Sequence, residues 1–148
     1  MRKGKLHVAY VVTRDVELAQ EAVQDTWAIC WQKLPRLRDP ARLRPWLVAI
    51  CANEARQMLR RARRRSVVEY DVTRAPGSAP DADAWVSDLD LRNALARLSP
   101  DDRALLALRY VAGLDSFELA HYSGISPSGT RARLARLLAG LRKELDHA

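Results

Sequence analysis

Three observations predict an all-α protein built as two small helical domains on a flexible linker. Apolar residues recur at three- and four-residue steps along most of the chain, and no stretch keeps a strand's alternation for long. The segment "APGSAP" (75–80) suits neither a helix nor a central strand. Charge then divides the chain in three: residues 1–66 carry 15 Lys/Arg against 6 Asp/Glu, residues 67–90 carry Arg74 against 6 acids, and residues 91–148 carry 9 against 6. The expected order is a basic domain (1–66), an acidic linker (67–87) and a second basic domain (88–148). Each domain is small enough to bury only about 60% of its unfolded surface, so both would gain from docking on something larger.

The elements follow from local signals. A short first helix covers roughly Leu6 to Thr13, and a second runs from about Val16 to Gln32 with Ala19, Ala22, Val23, Thr26, Trp27, Cys30 and Trp31 on its apolar steps. "LPRLRDPARLRP" (34–45) is a proline-broken connection in which Asp39-Pro40 opens a short helical turn. The third helix spans Trp46 to about Arg64, and the second domain starts with a helix from Asp88 to Arg97. Ser99-Pro100-Asp101-Asp102 is a helix start: a serine cap, proline at the first position and acids in the first turn. That helix reaches Val111 and stops at Gly113. Asp115 caps the next, which ends at Gly124, and the last runs from Ser126-Pro127 to Leu145.

"ANEARQMLRRARRR" (52–65), in the third helix, carries six arginines and one acid, Glu54. One or two cations at a helix C-terminus would answer the macrodipole, and six exceed that need. On a helical wheel Leu47, Cys51, Ala55, Met58, Leu59 and Ala62 share one side. Asn53, Arg56, Gln57, Arg60 and Arg64 lie opposite. Guanidinium forks suit phosphates, and amide side chains can pair with base edges.

The second domain adds an independent signal. Ala120, Gly124 and Thr130 are spaced as in a helix-turn-helix, where a small residue lets two helices approach and glycine makes the turn. An ordinary helical hairpin is the plainer reading of that spacing. On the last helix Thr130, Leu134, Leu137, Leu138, Leu141 and Leu145 form the core stripe. Ser128, Gly129, Ala132, Ala135, Arg136 and Ala139 face outward, with Arg131 and Arg133 on the shoulders.

Composition narrows the function classes. A net charge of +7 and a pI near 10.0 favour an anionic partner. Cys30 and Cys51 are isolated thiols without metal spacing; with no signal peptide in the sequence they read as reduced, buried cysteines of a cytoplasmic protein. No apolar run approaches the roughly 20 residues needed to span a bilayer. His7, His121 and His147 are scattered, the Asp101-Asp102 pair is explained by a helix start, and there is no phosphate-cradling glycine loop. No catalytic residue, metal ligand, cofactor or small-molecule substrate is therefore expected.

Two stretches together carry a family likeness. "ELAQEAVQDTWAICWQKLPRLRDPARLRPWLVAICANEARQMLRRARRR" resembles region two of the extracytoplasmic-function sigma factors of bacterial RNA polymerase. "ALARLSPDDRALLALRYVAGLDSFELAHYSGISPSGTRARLARLLAGLRKEL" resembles region four of the same group. The resemblance implies a protein that binds core polymerase and directs promoter-specific initiation, with promoter DNA and an anti-sigma factor as further partners. It assigns Glu21, Gln24 and Asp25 to the polymerase's clamp helices. Trp46, Asn53, Arg56, Arg60, Arg61 and Arg63 fall to the minus-ten element, with Asn53 beside a flipped-out base and the arginines on the strand backbone. Ser128, Thr130, Arg131, Arg133 and Arg136 fall to the minus-thirty-five element. The six arginines would then meet promoter phosphates. This chain departs from the family at Leu43, where an aromatic often precedes the Trp46 position, and it begins partway into the family's first helix, which implies either a less stable region two or a misassigned start.

A conventional helix-turn-helix regulator that binds duplex DNA unaided is the rival, and the first domain discriminates, since such a regulator has no use for a polymerase-docking helix. A basic helix lying on a membrane is disfavoured, because residues 46–64 lack bulky aromatics beyond the first. For the linker two readings stand: solubility or self-screening of the basic domains, and, as the resemblance implies, a phosphate mimic held in the polymerase's RNA channel through Asp81, Asp83 and Asp88.

Overall fold

A computed structural model describes residues 2–68 and 89–147. The expected linker (67–87), with Asp81 and Asp83, lies almost wholly outside them, and so does Asp88 at the start of the expected second domain. Every regular element among the described residues is helical: α1 (Arg2–Thr13), α2 (Val16–Lys33), α3 (Leu43–Val68), α4 (Leu89–Arg97), α5 (Pro100–Tyr110), α6 (Ser116–Ser123) and α7 (Pro127–Asp146). Two single 3-10 turns, Leu34–Arg36 and Pro40–Arg42, join α2 to α3.

The helix starts are built from the residues that signal them. Asp15 accepts the amides of Glu17 and Leu18 (2.9 and 3.3 Å), and Ser99 accepts that of Asp102 at 3.1 Å. Asp115 and Glu118 form a reciprocal capping box (2.9 and 3.0 Å). Ser126 accepts the amide of Gly129 at 3.0 Å. Gly124 ends α6 in the left-handed region (φ 77°), where an L side chain would be strained. Helix α3 is longer than expected at both ends. Pro45 sits in its first turn, where no intrahelical amide bond is lost, so the helix starts at Leu43.

The two halves share one core. Helices α1, α2 and α3 pack on one another, and α1 and α3 also pack on α5. Val8, Ala9, Val12, Cys51, Ala52 and Ala55 therefore belong to the same buried cluster as Leu105, Leu108, Leu119 and Leu134. Alanines at the crossings let the helices approach closely, and the apolar area missing from each half is supplied by the other.

Two features depart from the rule of apolar residues inside and charged ones outside. Trp27 and Trp31, on the apolar steps of α2, are 48% and 81% exposed. Lys5, in contrast, is buried (1% exposed) with its Nζ 3.5 Å from the Trp27 ring centroid and no hydrogen-bond acceptor. The indole face takes the place of water for this ammonium. Both thiols are buried, as expected, and Cys51 Sγ donates to the Lys5 carbonyl at 3.4 Å.

Leu108, fully buried in the shared core, sets one expectation: Leu108→Ala should cost about 2–5 kcal/mol, read from urea midpoints at unchanged m. Cys51 sets another. Burial pushes its thiol from 9.0 up to about 11, so the native state holds this proton more tightly than the unfolded chain. The resulting stability is complete below pH 9 and is lost as pH rises toward 11. Lys5, lowered mainly by burial, acts in the opposite sense but is common to both proteins when wild type is compared with Cys51→Ala. The wild-type unfolding free energy should fall more steeply over that window than the variant's.

Candidate nucleic-acid interface

Helix α3 separates two environments along its length. Leu47, Val48, Cys51, Ala52, Ala55 and Met58 are buried, while Asn53, Gln57, Arg60, Arg61, Arg63, Arg64 and Arg65 are exposed. Arg61 Nη2 donates to Gln57 Oε1 at 3.3 Å, one turn back, which holds an arginine and an amide on a shared edge. Trp46 is half-buried at the start of the same helix. Glu54, the single acid of the segment, is buried at 9% exposure, so the exposed surface of residues 52–65 is free of carboxylates.

Arg56 stands apart from the other arginines. Its side chain is 28% exposed, its Nη1 lies 3.3 Å from Asp101 Oδ1, and its guanidinium carbon lies 5.6 Å from the Tyr122 ring centroid. Asp101 is on α5 and Tyr122 on α6, so this arginine already has partners in the other half of the chain. Nothing local in the sequence signals that contact.

Helix α7 follows the turn at Gly124 as the second helix of a helix-turn-helix. Ser128, Arg131, Ala132, Ala135, Arg136 and Ala139 are exposed along it. A methyl added at Gly129 would come within 3.1 Å of the capping Ser126 Oγ, so the first turn is tightly built. Thr130, expected both in the core stripe and at the DNA, lies in the core. It is fully buried and its hydroxyl donates to the Ser126 carbonyl at 3.0 Å, which fits the core half of its expected placement. Arg133 is half-buried, with Nη2 and Nε 2.6 and 3.2 Å from Asp102 Oδ1.

The third candidate surface is on α2. Glu21, Gln24 and Asp25 are all exposed at i, i+3 and i+4, hence on one face. The same face continues to Trp31, which with Leu34 and Pro35 lines a shallow hollow of about 390 Å³. The spacing put Trp31 on the apolar steps of this helix, yet it is 81% exposed once the helices are packed. Among the described residues no group of three or more His, Cys, Asp or Glu could hold a metal ion. No helix among them is long and apolar enough to cross a membrane.

The Sigma-70 region 2 family matches residues 5–65, and the Sigma-70, region 4 family matches residues 88–141. The ECF RNA polymerase sigma factor SigL of Mycobacterium tuberculosis is 33% identical over 91% of this chain and 78% of its own length. The chain belongs to the extracytoplasmic-function sigma factors. RNA polymerase sigma factor CarQ of Myxococcus xanthus is 34% identical over 90% of this sigma factor and 78% of its own length. The probable RNA polymerase sigma factor RfaY of Xanthomonas campestris is 31% identical, and the chain spans 36% of that longer relative. The solved fold of sigma factor RpoE from Bartonella quintana, in complex with the anti-sigma factor NepR, superposes with a TM-score of 0.74 at 23% identity, covering 96% of this chain and 89% of that one. Sigma factors direct promoter-specific initiation by RNA polymerase, and as a class they are not enzymes.

The burial of Thr130 has a measurable consequence. Thr130→Val should lower stability by about 1 kcal/mol through removal of the hydroxyl bond, and should leave the base preference of any minus-thirty-five complex unchanged. A profile of binding against single-base substitutions checks the second part.

Proposed function

We propose that this sigma factor binds bacterial core RNA polymerase through the exposed face of α2, opens and holds the minus-ten element with α3, and reads the minus-thirty-five element with α7. The reading rests most on one observation: α3 presents Asn53, Gln57, Arg60, Arg61 and Arg63 to solvent while its own single acid, Glu54, is buried and its other side is core. Arginines spaced along a helix match a strand backbone, and an amide among them is suited to a base edge. On α7 the small Ala132, Ala135 and Ala139 let the helix enter a groove closely, with Ser128, Arg131 and Arg136 beside them.

On α2 the acids Glu21 and Asp25 and the amide Gln24 give polar specificity, and Trp31 with Leu34 gives apolar area for docking on polymerase. The division of labour is region two in 1–66, a tether in 67–87 and region four in 88–148. The site of action is the cytoplasm, where polymerase is. RpoE of Bartonella quintana is held by an anti-sigma factor, and by that likeness a protein of this class is proposed as the inhibitor here.

Run-off transcription with bacterial core polymerase on genomic promoter fragments, with and without the chain, tests the whole reading. Tight sequence-specific binding of duplex DNA by the isolated protein would overturn it in favour of an unaided regulator. At the level of residues, Arg60→Ala and Arg61→Ala should weaken promoter complexes regardless of sequence. Each should also flatten log K against log salt by roughly 0.9 for every phosphate no longer neutralised. Asn53→Ala should instead relax preference at one minus-ten position, by roughly 1–3 kcal/mol of discrimination. A uniform weakening across base substitutions would remove Asn53 from base reading.

A further inference from the structure

Positive charge gathers where α1 ends. Arg103 of α5, only 3% exposed, donates through Nε and Nη2 to the Val12 carbonyl at 3.1 and 2.8 Å. Burial lowers it to about 10, and Arg14 and Arg63 push the same way. Arg14, just past α1, is itself lowered by burial, against the Tyr10 phenol, and further by Arg92 of α4. Among the described residues no carboxylate acts on Arg14 or Arg103. Asp101 and Asp102, beside Arg103 in sequence, are engaged with Arg56 and Arg133.

Arg14 carries a second mark. It stands at φ 57°, the one non-glycine residue among those described with a positive φ, and its amide donates to the Tyr10 carbonyl at 2.6 Å. Glycine takes that position past a helix end freely, whereas a side chain there is strained. One cation is enough to answer a helix C-terminus, and Arg103 already does so. What Arg14 adds over glycine is its guanidinium, and strain held for a side chain is a mark of binding sites. That side chain and Arg92 line one half-buried cavity of about 20 Å³, with Tyr10, Val11 and Leu95. A cavity of this size has room for about one water-sized group.

We propose that this cavity, between the end of α1 and the start of α4, is a binding site for a terminal phosphoryl group, as carried by free pyrophosphate or by a nucleoside polyphosphate, with Arg14 and Arg92 as its cationic walls. Two guanidiniums in a half-buried seam repel each other and are poorly solvated, and an anion between them relieves both costs. The guanidinium fork matches a pair of phosphate oxygens. Size selects the kind of phosphate. A phosphodiester in a strand is flanked by sugars on both sides and cannot enter so small a cavity, whereas a terminal phosphoryl group presents its oxygens at a free tip.

The test uses the full chain with pyrophosphate as the probe, read by isothermal titration calorimetry and by the rise in melting temperature that a ligand of the folded state gives. Sulfate at matched ionic strength is the control for a loose anion atmosphere. Arg92→Gln should weaken pyrophosphate binding tenfold or more, as expected for loss of a hydrogen bond to a charged group. Arg14→Gly should weaken it as much, yet raise the melting temperature of the free protein by roughly 2–4 °C, because glycine relieves the backbone. A protein that is more stable but binds less is not what a merely structural arginine would give. Arg142→Ala, which removes an exposed cation from α7, should leave the affinity within about twofold. Equal melting shifts from sulfate and pyrophosphate, an equal loss in Arg142→Ala, or unchanged binding in both seam variants would overturn the site. Displacement of pyrophosphate by a single strand of thymidines without a terminal phosphate would also overturn it, making the seam a contact for strand backbone. If circular dichroism shows Arg92→Gln unfolded, Arg14→Gly decides alone. Tighter binding of a nucleoside triphosphate than of pyrophosphate would support the site with a nucleotide as its source, and weaker binding would support it with free pyrophosphate.

Discussion

The guanidinium of Arg103 on the Val12 carbonyl is the contact that makes two half-sized bundles into one body. A helix C-terminus leaves carbonyls without intrahelical donors, and burying them unpaired is costly. Here the end of α1 turns away through Arg14, the one non-glycine residue among those described with a positive φ (57°). The carbonyl left behind is answered from the other half of the chain. Around that polar bond the apolar faces of α1, α3 and α5 close into a common core. Each half is too small to finish its own interior, and what the sequence suggested would dock on something larger docks first on itself.

Much of this architecture was legible because its signals are local. Ser99, Asp115 and Ser126 cap the helices they precede through bonds to residues three positions on, and Gly124 turns the chain through its own φ. The wheel of α3 separated buried from exposed positions correctly at Leu47, Cys51, Ala55 and Met58 on one side and Asn53, Gln57 and Arg60 on the other. What could not be read was which helix lies across from which. Arg56 belongs to the exposed face by angle, yet Asp101 and Tyr122 arrive there from a segment 45 residues or more away. Trp31 belongs to the apolar steps by spacing, and no helix among the described residues comes to cover it. Lys5 reads as a surface residue until Trp27 is placed against its ammonium. Thr130 carried two roles in the sequence because it sits at the margin between core and groove face, and its side chain is buried in the core.

The Asp101-Asp102 pair illustrates how one local feature takes on several tasks. Acids in the first turn of a helix are favourable against its dipole without any further purpose. Once α3 and α7 are packed beside that turn, the same carboxylates become the anions that hold Arg56 and Arg133. Arg60 and Arg61 remain exposed farther along α3. The basic surface is therefore divided between residues that face solvent directly and residues paired with a carboxylate.

The joint at Val12 has a further property that follows from what it is made of. Main-chain carbonyls take up no proton in the range a cell experiences, and an arginine lowered to about 10 still carries its charge at neutrality. Cys51 donates elsewhere, to the Lys5 carbonyl, so its thiol takes no part in this bond. The joint thus offers acid and oxidant nothing to act on. What it responds to is the geometry of its two partners, a helix end and a guanidinium, so its strength follows how closely α1 and α5 are packed.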